Sequence, residues 1–213
     1  MKPGTQAPRV SVKTTEGKIW TLGDNQPEKF SLIVFYRGLH CPICKTYLES
    51  LSKSLADLKK QGVSEIIAIS GDTKEKALKA KQDWKIKNLN VGCEMKLSSM
   101  ANWGLFISEA IKESEPKHFG EPGLFIVDQE GKLFYCNTSN MPFARPPITE
   151  LIKGLEFINS KGYPRRGTVS YDQIEVIERA ESKVDRESEL EMVDNHIITH
   201  PKKEKPVPPL NSN

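Results

Sequence analysis

The hydrophobic pattern of the first half of the chain alternates between buried strands and an amphipathic helix. Residues 32–36 and 66–70 are continuous apolar runs, which are typical of strands covered on both faces. Between them, leucines recur every three or four residues from Leu48 to Leu58. This spacing predicts a helix that begins at a Cys-x-x-Cys segment and ends near Gly62.

A lysine-rich helix is predicted from about residue 72 to 87. Asp72, followed three residues later by Glu75, resembles a capping box at its start. Six lysines lie between positions 74 and 87. They indicate a solvated helix face rather than a basic binding patch.

The pattern then predicts a hairpin and a closing helix. Apolar runs at 124–127 and 133–136 flank a turn that contains Gly131. Apolar residues at helical spacing follow Pro147 over 148–158, and proline suits a first helical turn. Strand, helix and strand followed by a hairpin and a helix predict an α/β fold, a three-layer α/β/α sandwich with a mixed sheet.

Composition separates residues 1–165, the predicted core domain, from residues 166–213. Fourteen of the 16 aromatic residues and all four cysteines lie before residue 161. Residues 172–194 carry nine acids and three bases, a net charge of −6, and helical spacing predicts a surface helix over 172–186. The proline- and lysine-rich residues 201–213 are typical of a disordered tail.

Charge and hydropathy exclude several classes of partner. The 213 residues include 31 Lys+Arg and 28 Asp+Glu, and this net charge of +3 does not favour nucleic acid or an anionic membrane. No apolar stretch reaches the roughly 18 residues of a membrane span, and the first residues lack the apolar segment of a secretory signal. Four cysteines are too few for a disulfide scaffold. We therefore expect a soluble, cytoplasmic protein with reduced thiols.

The chemistry of the chain is concentrated in the Cys41-Pro42-Ile43-Cys44 segment, which follows a buried strand and opens a helix. Unpaired N–H groups and the positive end of the helix dipole stabilise a thiolate at this place. Pro42 suits the first helical position, and Cys44 lies one turn after Cys41. We predict an accessible Cys41 as nucleophile and a more buried Cys44 that resolves the mixed disulfide.

Two interpretations of the neighbouring residues stay open. His40 lowers the pKa of Cys41 if its imidazole is charged and does little if it is neutral at the surface. A structural Cys-x-x-Cys or a zinc site competes with redox chemistry. Zinc needs about four ligands, whereas Cys93 and Cys136 stand alone and are expected as small core residues. We expect no metal and no organic cofactor.

Three motifs carry a family resemblance. The opening PGTQAP at residues 3–8, the RGLHCPIC segment at 37–44 and the LFIVDQEG segment at 124–131 resemble the AhpC/TSA redoxins of the thioredoxin superfamily. The second motif resembles a peroxiredoxin-like branch with an RGxxCPxC motif. The resemblance spans residues 1–165 and implies a thioredoxin-like fold and thiol redox activity; the segment from about 168 has no counterpart in it.

The sequence also departs from that family. Typical peroxiredoxins carry a P-x-x-x-T-x-x-C loop, but neither cysteine has a threonine three residues before it. The family's late-strand arginine falls near Pro122. This proline instead resembles the cis-proline of thioredoxins, with Glu121 offering its backbone to a substrate, and an ordinary loop proline is the alternative interpretation. Arg37 and Arg145 are candidates for stabilising a thiolate, with ordinary surface arginines as the alternative reading.

The function we expect is dithiol–disulfide exchange at Cys41 and Cys44, in antioxidant defence or thiol homeostasis. A disulfide substrate oxidises the pair and a cellular thiol reductant restores it. The alternative is a peroxiredoxin-type peroxide reductase that passes through a sulfenic acid on one of these cysteines. A further alternative is a non-enzymatic redox sensor that presents its acidic segment to a partner. No nucleic-acid or membrane partner is expected.

Overall fold

The computed structural model describes the backbone of residues 1–199 and the side chains of residues 1–184 and 187. The chain forms two compact units, of which the first is Met1–Thr168 and the second begins at Val169. The predicted tail at 201–213 lies outside the described residues.

The strands of the first unit form one large mixed sheet and a small ribbon. The strands are β1 (Ser11–Thr14), β2 (Ile19–Thr21), β3 (Phe30–Phe35), β4 (Val63–Ile69), β5 (Asn90–Cys93), β6 (Ile107–Glu109), β7 (His118–Gly120), β8 (Gly123–Asp128) and β9 (Leu133–Thr138). The sheet runs in the order β2-β1-β5-β4-β3-β8-β9, and the ribbon pairs β6 with β7.

The helices join these strands and extend into the second unit. They are α1 (Pro42–Lys53), α2 (Leu55–Lys60), α3 (Lys74–Asp83), α4 (Leu97–Asn102), α5 (Ile148–Lys161) and α6 (Tyr171–Thr199). Helix α6 contains the predicted 172–186 helix and continues beyond it. None of the helices in the described part of the chain has the length and apolar character needed to cross a bilayer.

Strand β3 is the centre of the fold. It runs parallel to β4 and antiparallel to β8, and all six of its residues are buried. Leu32 and Val34 face a core that includes side chains of α1, α3 and α5. Ile33 and Phe35 face a second core built around Trp103. Because both faces are covered, the apolar run is continuous, and the predicted three-layer α/β/α sandwich is confirmed.

The single helix predicted between Cys44 and Gly62 is two helices, α1 and α2, so the prediction of one continuous helix is wrong. At Ser54 the backbone (φ −99°, ψ 4°) leaves the helical conformation, and its N–H bonds the carbonyls of both Ser50 and Leu51. The leucine spacing continues across this break because Leu48, Leu51 and Leu58 all face the same core.

The cap of helix α3 lies one residue later than predicted, and the helix ends earlier. Its cap is Thr73, whose Oγ1 accepts from Lys76 N at 3.4 Å. The predicted capping box at Asp72 is therefore wrong. The Asp72 carboxylate accepts the backbone N–H of Leu39 instead of capping α3. The helix stops at Asp83, and Lys85 adopts a left-handed conformation (φ 56°) that cannot continue it.

The predicted hairpin is confirmed between β8 and β9. The Asp128 carboxylate accepts the N–H groups of Glu130 and Lys132, both at 3.0 Å, and Gly131 supplies the left-handed residue of the turn (φ 74°). Pro147 lies at the cap of α5, one position before the helix. Strand β8 thus lies beside β3, which leads into the Cys-x-x-Cys segment.

Trp103 gives a test of the second core. Its ring is 0% exposed and lies 5.3 Å from Phe35 and 4.9 Å from Phe125, measured between ring centroids. We expect Trp103→Ala to lower the free energy of unfolding by about 3–5 kcal/mol, because it removes a large buried side chain and leaves a cavity. Urea unfolding followed by near-ultraviolet circular dichroism measures this loss. Phe157→Ala, at a side chain 51% exposed, is the control and should cost far less; equal losses would contradict the packing described.

Candidate active site

The two cysteines of the Cys-x-x-Cys segment lie at the first turn of α1. Cys41 is the cap residue, and its Sγ accepts the backbone N–H of Cys44 at 3.3 Å. Pro42 occupies the first helical position, where its missing N–H costs no hydrogen bond. A sulfur therefore takes the capping place that serine or aspartate usually fills, which directs helix N–H groups at it.

The two thiols differ sharply in acidity. The pKa of Cys41 is lowered to about 6, first by the S–H that Cys44 donates to it, with the Cys44 N–H, Arg37 and Arg145 adding to the effect while burial opposes it. The same hydrogen bond and burial raise the pKa of Cys44. At neutral pH the pair therefore holds a Cys41 thiolate beside a protonated Cys44.

Cys41 is not accessible, contrary to expectation: it is 1% exposed, and Cys44 is fully buried. The chain turns back just before Cys41, whose N–H donates to Gly38 O at 3.1 Å. Leu39 and Ile43, one on each side of the cysteine along the chain, pack against the core cluster that contains both cysteines. The sulfur is therefore almost completely closed off from solvent, and a large substrate does not reach it without movement of the surrounding chain.

Arg37 is part of a charge cluster and not an ordinary surface arginine. Its side chain is 15% exposed, with Nη2 3.2 Å from Glu115 Oε1 and Nε 3.4 Å from Glu121 Oε2. Its guanidinium lies 4.6 Å from the ring centroid of Phe119. Its backbone N–H also faces the Cys44 sulfur and favours the thiolate there. Glu115 and Phe119 had no signal in the sequence, because they lie about 80 residues from Arg37.

Arg145 reaches the same site from the loop between β9 and α5. Its Nη2 donates to Ile43 O at 3.2 Å, and its guanidinium lies 4.2 Å from the ring centroid of Tyr47. The Tyr47 hydroxyl donates to Pro146 O at 2.8 Å and fixes the ring. Nη1 is buried and has no hydrogen-bond partner among the described residues. Arg145 is thus a positioned cation whose charge favours the thiolate form of both cysteines, and its Nη1 remains free to donate.

The structure favours a neutral His40. Burial and the neighbouring Arg37 lower the pKa of the imidazole. The ring packs edge-on against Phe119 with 4.9 Å between centroids. These contacts favour the interpretation in which His40 is neutral and does little to Cys41, while Arg37 and Arg145 lower the pKa of the Cys41 thiol.

Asp72 is the main site residue that the sequence interpretation missed. Its carboxylate is buried in the turn between β4 and α3 and accepts Leu39 N at 2.7 Å, which fixes the loop before Cys41. Gly38 (φ 126°) makes room for it, because a Cβ there would lie 2.6 Å from Asp72 Oδ1. Burial raises the pKa of this carboxyl. In the sequence, Gly38 was the residue that could have indicated this close approach of another side chain.

Pro122 does not take the thioredoxin arrangement. The Glu121–Pro122 peptide bond is trans, so the cis hypothesis is wrong. The backbone N–H of Glu121 and the backbone carbonyl of Pro122 are already paired. Glu121 N donates to Phe106 O at 2.8 Å, and Ser139 N donates to Pro122 O at 3.0 Å. Glu121 therefore has no backbone N–H free for a substrate, and its carboxylate instead accepts the Ser108 hydroxyl at 2.7 Å and pairs with Arg37.

The other two cysteines lie outside this site. Cys93 is buried, and its Sγ donates to Lys13 O at 3.3 Å. Cys136 is half-buried in β9 and packs against the second core. Burial raises the pKa of both thiols, so neither matches the reactivity of Cys41.

Replacing Gly38 tests the close approach of Asp72. We expect Gly38→Ala to destabilise the protein by about 2–4 kcal/mol, because it adds backbone strain and a clash with the carboxylate. Gly23→Ala is the matched control: Gly23 has φ 95°, but nothing lies within 4 Å of its Cβ position. Urea unfolding measures both.

In an Asp72→Ala background the clash partner is absent, so the cost of Gly38→Ala should fall to that of Gly23→Ala. Additive costs for Gly38→Ala and Asp72→Ala would contradict the contact.

Solved structures share this fold. A peroxiredoxin-like protein from Aquifex aeolicus superposes with a TM-score of 0.61 at 21% identity, covering 74% of this chain and 88% of that one. Peroxidoxin BcpB from Mycobacterium tuberculosis gives 0.60 at 14% identity, covering 74% and 98%. Reduced Prx3 from Vibrio vulnificus, in complex with hydrogen peroxide, gives 0.62 at 14% identity, covering 73% and 99%. At these identities the likeness supports the thioredoxin-like fold alone.

The sequence itself identifies the family. The comparison with curated proteins found no match. The model of the AhpC/TSA family matches residues 3–136, more than half of the chain, and this range contains Cys41, Cys44, Arg37 and Asp72. The acidic Cys41 thiol and its protonated neighbour are what thiol redox chemistry requires. The chain belongs to the AhpC/TSA family and is a thiol-dependent oxidoreductase.

Proposed function

We propose that the protein reduces small hydroperoxides, with Cys41 as the attacking thiolate and Cys44 as the resolving thiol. The observation that carries this proposal is the acidic, buried Cys41 sulfur held at the cap of α1 beside the Cys44 S–H. A cellular thiol then restores the pair. No metal or organic cofactor takes part in these steps.

Burial of Cys41 is the reason to prefer a small hydroperoxide over a protein disulfide. Thiol–disulfide exchange needs the attacking sulfur to approach a disulfide directly, whereas Cys41 is 1% exposed. A molecule the size of hydrogen peroxide needs far less space. The small-oxidant reading therefore fits the folded site better than the disulfide substrate favoured from the sequence.

The sequence lacks the arginine that the family pattern places in the late strand, and two other arginines compensate for this absence. No arginine stands at the Pro122 position, but Arg37 and Arg145 both lower the pKa of Cys41. The unpartnered Nη1 of Arg145 supplies a donor for the oxygen that leaves with negative charge. The missing threonine is not replaced by any side chain of similar chemistry in the loop at 37–41.

The chemical cycle has three balanced steps. The Cys41 thiolate attacks one peroxide oxygen, so the O–O bond breaks, Cys41 becomes a sulfenic acid and the other oxygen leaves and takes up a proton. Cys44 then attacks the sulfenic sulfur, forming the Cys41–Cys44 disulfide and releasing water. Two external thiols finally reduce this disulfide by exchange and become a disulfide themselves.

Formation of the disulfide removes the negative charge from the sulfur that caps α1. The Cys44 N–H that donates to the Cys41 thiolate then faces a neutral disulfide sulfur, which is a weaker acceptor. The first helical turn is then easier to open, and this opening gives the external reductant access to the buried bond. We place this cycle in the cytoplasm, where cellular thiols are abundant.

Direct dithiol–disulfide exchange is the second candidate. The Cys-x-x-Cys at a helix start favours it, because that arrangement suits reversible disulfide formation whatever the oxidant. The two candidates share residues and differ in the oxidant, so parallel reactions with hydrogen peroxide and a small disulfide separate them.

Cysteine replacement tests the assigned roles. In stopped-flow oxidation by hydrogen peroxide, Cys41→Ser should lose the fast reaction entirely, because the thiolate is gone. Cys44→Ser should still react and should accumulate a sulfenic acid that dimedone traps and mass spectrometry detects. Cys93→Ser and Cys136→Ser are matched controls and should react like the wild type.

Three other outcomes would overturn the proposed reaction. Rapid oxidation by a small disulfide with a slow peroxide reaction would establish exchange instead. Fast oxidation that survives Cys41→Ser would assign the nucleophile to another thiol. No reaction with either hydrogen peroxide or the small disulfide would favour the redox-sensing binding module.

The pH profile tests the electrostatics. Because the pKa of Cys41 is lowered to about 6, the oxidation rate should rise through pH 6 and level off above pH 7. Arg145→Met removes a favourable charge, so the inflection should move to higher pH and the rate at pH 6 should fall. The plateau rate should fall as well, because the donor to the leaving oxygen is lost.

The matched control is Arg179→Met, at a side chain 83% exposed on α6, which should leave the profile unchanged. A wild-type inflection near pH 9, or an unchanged profile in Arg145→Met, would contradict the assigned electrostatics.

A further inference from the structure

A second concave site lies between the edge strand β9 and helix α5. It has a volume of about 410 Å³, which falls in the range of small-molecule sites. Its floor is formed by buried aliphatic side chains and its walls by aromatic ones on β9: Ile126, Leu151, Leu155, Phe134 and Tyr135. Neither Cys41 nor Cys44 lines this groove, so the redox chemistry does not account for it.

Gly154 is the residue that opens the groove. It lies in the interior of the 14-residue helix α5, where glycine is unfavourable. No packing demand explains it, because nothing lies within 4 Å of the position its Cβ would occupy. The missing side chain thus leaves space along the groove that a larger residue would fill.

The two charged side chains that line the groove differ in whether they have an ion-pair partner. Arg166 is exposed, lies 6.0 Å from the ring centroid of Tyr163, and makes no ion pair among the described residues. Glu150, the acidic residue of the lining, has its carboxylate paired with Lys153 at 3.0 Å. The groove is therefore an apolar slot whose lining, among the described residues, includes one arginine without an ion-pair partner; the N-terminal ammonium adds positive charge near Cys136.

We propose that this groove binds a single amphiphilic anion, a fatty-acid-like molecule. Its unbranched apolar chain lies over Leu151, Gly154 and Leu155, and its carboxylate meets Arg166. An extended apolar chain matches a slot widened by a helix glycine, and the unpaired guanidinium matches an anionic head. The proposal stands independently of the peroxide chemistry.

The test uses the full chain titrated with a fluorescent fatty acid, cis-parinaric acid, below its micelle concentration. We expect saturable binding of one equivalent to the wild type and at least tenfold weaker binding to Gly154→Leu. Leucine favours helix more than glycine does, so this variant should unfold at an equal or higher temperature, which separates lost binding from lost folding. Glu156→Leu, on the same helix outside the groove lining, is the matched control and should bind normally.

A second variant tests the head group. Displacement of the probe by dodecanoic acid should weaken at least threefold in Arg166→Gln, while displacement by dodecanol should not change. Cys41→Ser should bind like the wild type, because the site does not use the redox pair.

Three results would overturn the proposal. The first is no saturable binding by the wild type. The second is equal binding by the wild type and Gly154→Leu, which would place the probe elsewhere. The third is self-association of the wild type that Gly154→Leu abolishes, which would make the groove a contact between two copies of the chain.

Discussion

The hydrogen bond from Leu39 N to the buried carboxylate of Asp72 is the constraint on which the active site depends. At 2.7 Å it joins the turn between β4 and α3 to the loop that leaves β3. Because these neighbouring strands end together, the bond fixes where the chain turns before it enters α1. Only a glycine at position 38 allows the carboxylate to come this close.

The fixed loop determines the chemistry of both sulfurs. It sets Cys41 at the cap of α1, where a helix N–H and the Cys44 S–H point at its sulfur. It also directs the Arg37 N–H at Cys44. The same geometry buries Cys41, so acidity and restricted access have one structural origin. A buried thiolate with a protonated partner suits a small oxidant followed by an internal resolving step.

The positive charges of the site are held by different means. Arg37 is locked by two carboxylates and the Phe119 ring, and these partners come from the segment that includes β6 and β7. Arg145 is held by a carbonyl and the Tyr47 ring, with no carboxylate partner among the described residues. Both arginines act on Cys41, although 108 positions separate them in the sequence. In this way the fold provides arginine near the sulfur without the residue that the family pattern places in the late strand.

Local chemistry was enough for the sequence to predict the strands at 32–36, 66–70, 124–127 and 133–136, the hairpin between the last two and the Cys-x-x-Cys at a helix start, whereas β1, β5, β6 and β7 were not predicted. Apolar runs covered on both faces, the Asp128–Gly131 turn and a Cys-x-x-Cys at a helix start each depend on neighbours a few residues away. Only the tertiary structure decided that Asp72 holds a loop rather than a helix, that Pro122 is trans, that Cys41 is buried and that two arginines lower the pKa of its thiol. Each of these depends on side chains brought together from distant parts of the chain, and burial and Coulomb interactions act through space rather than along the sequence.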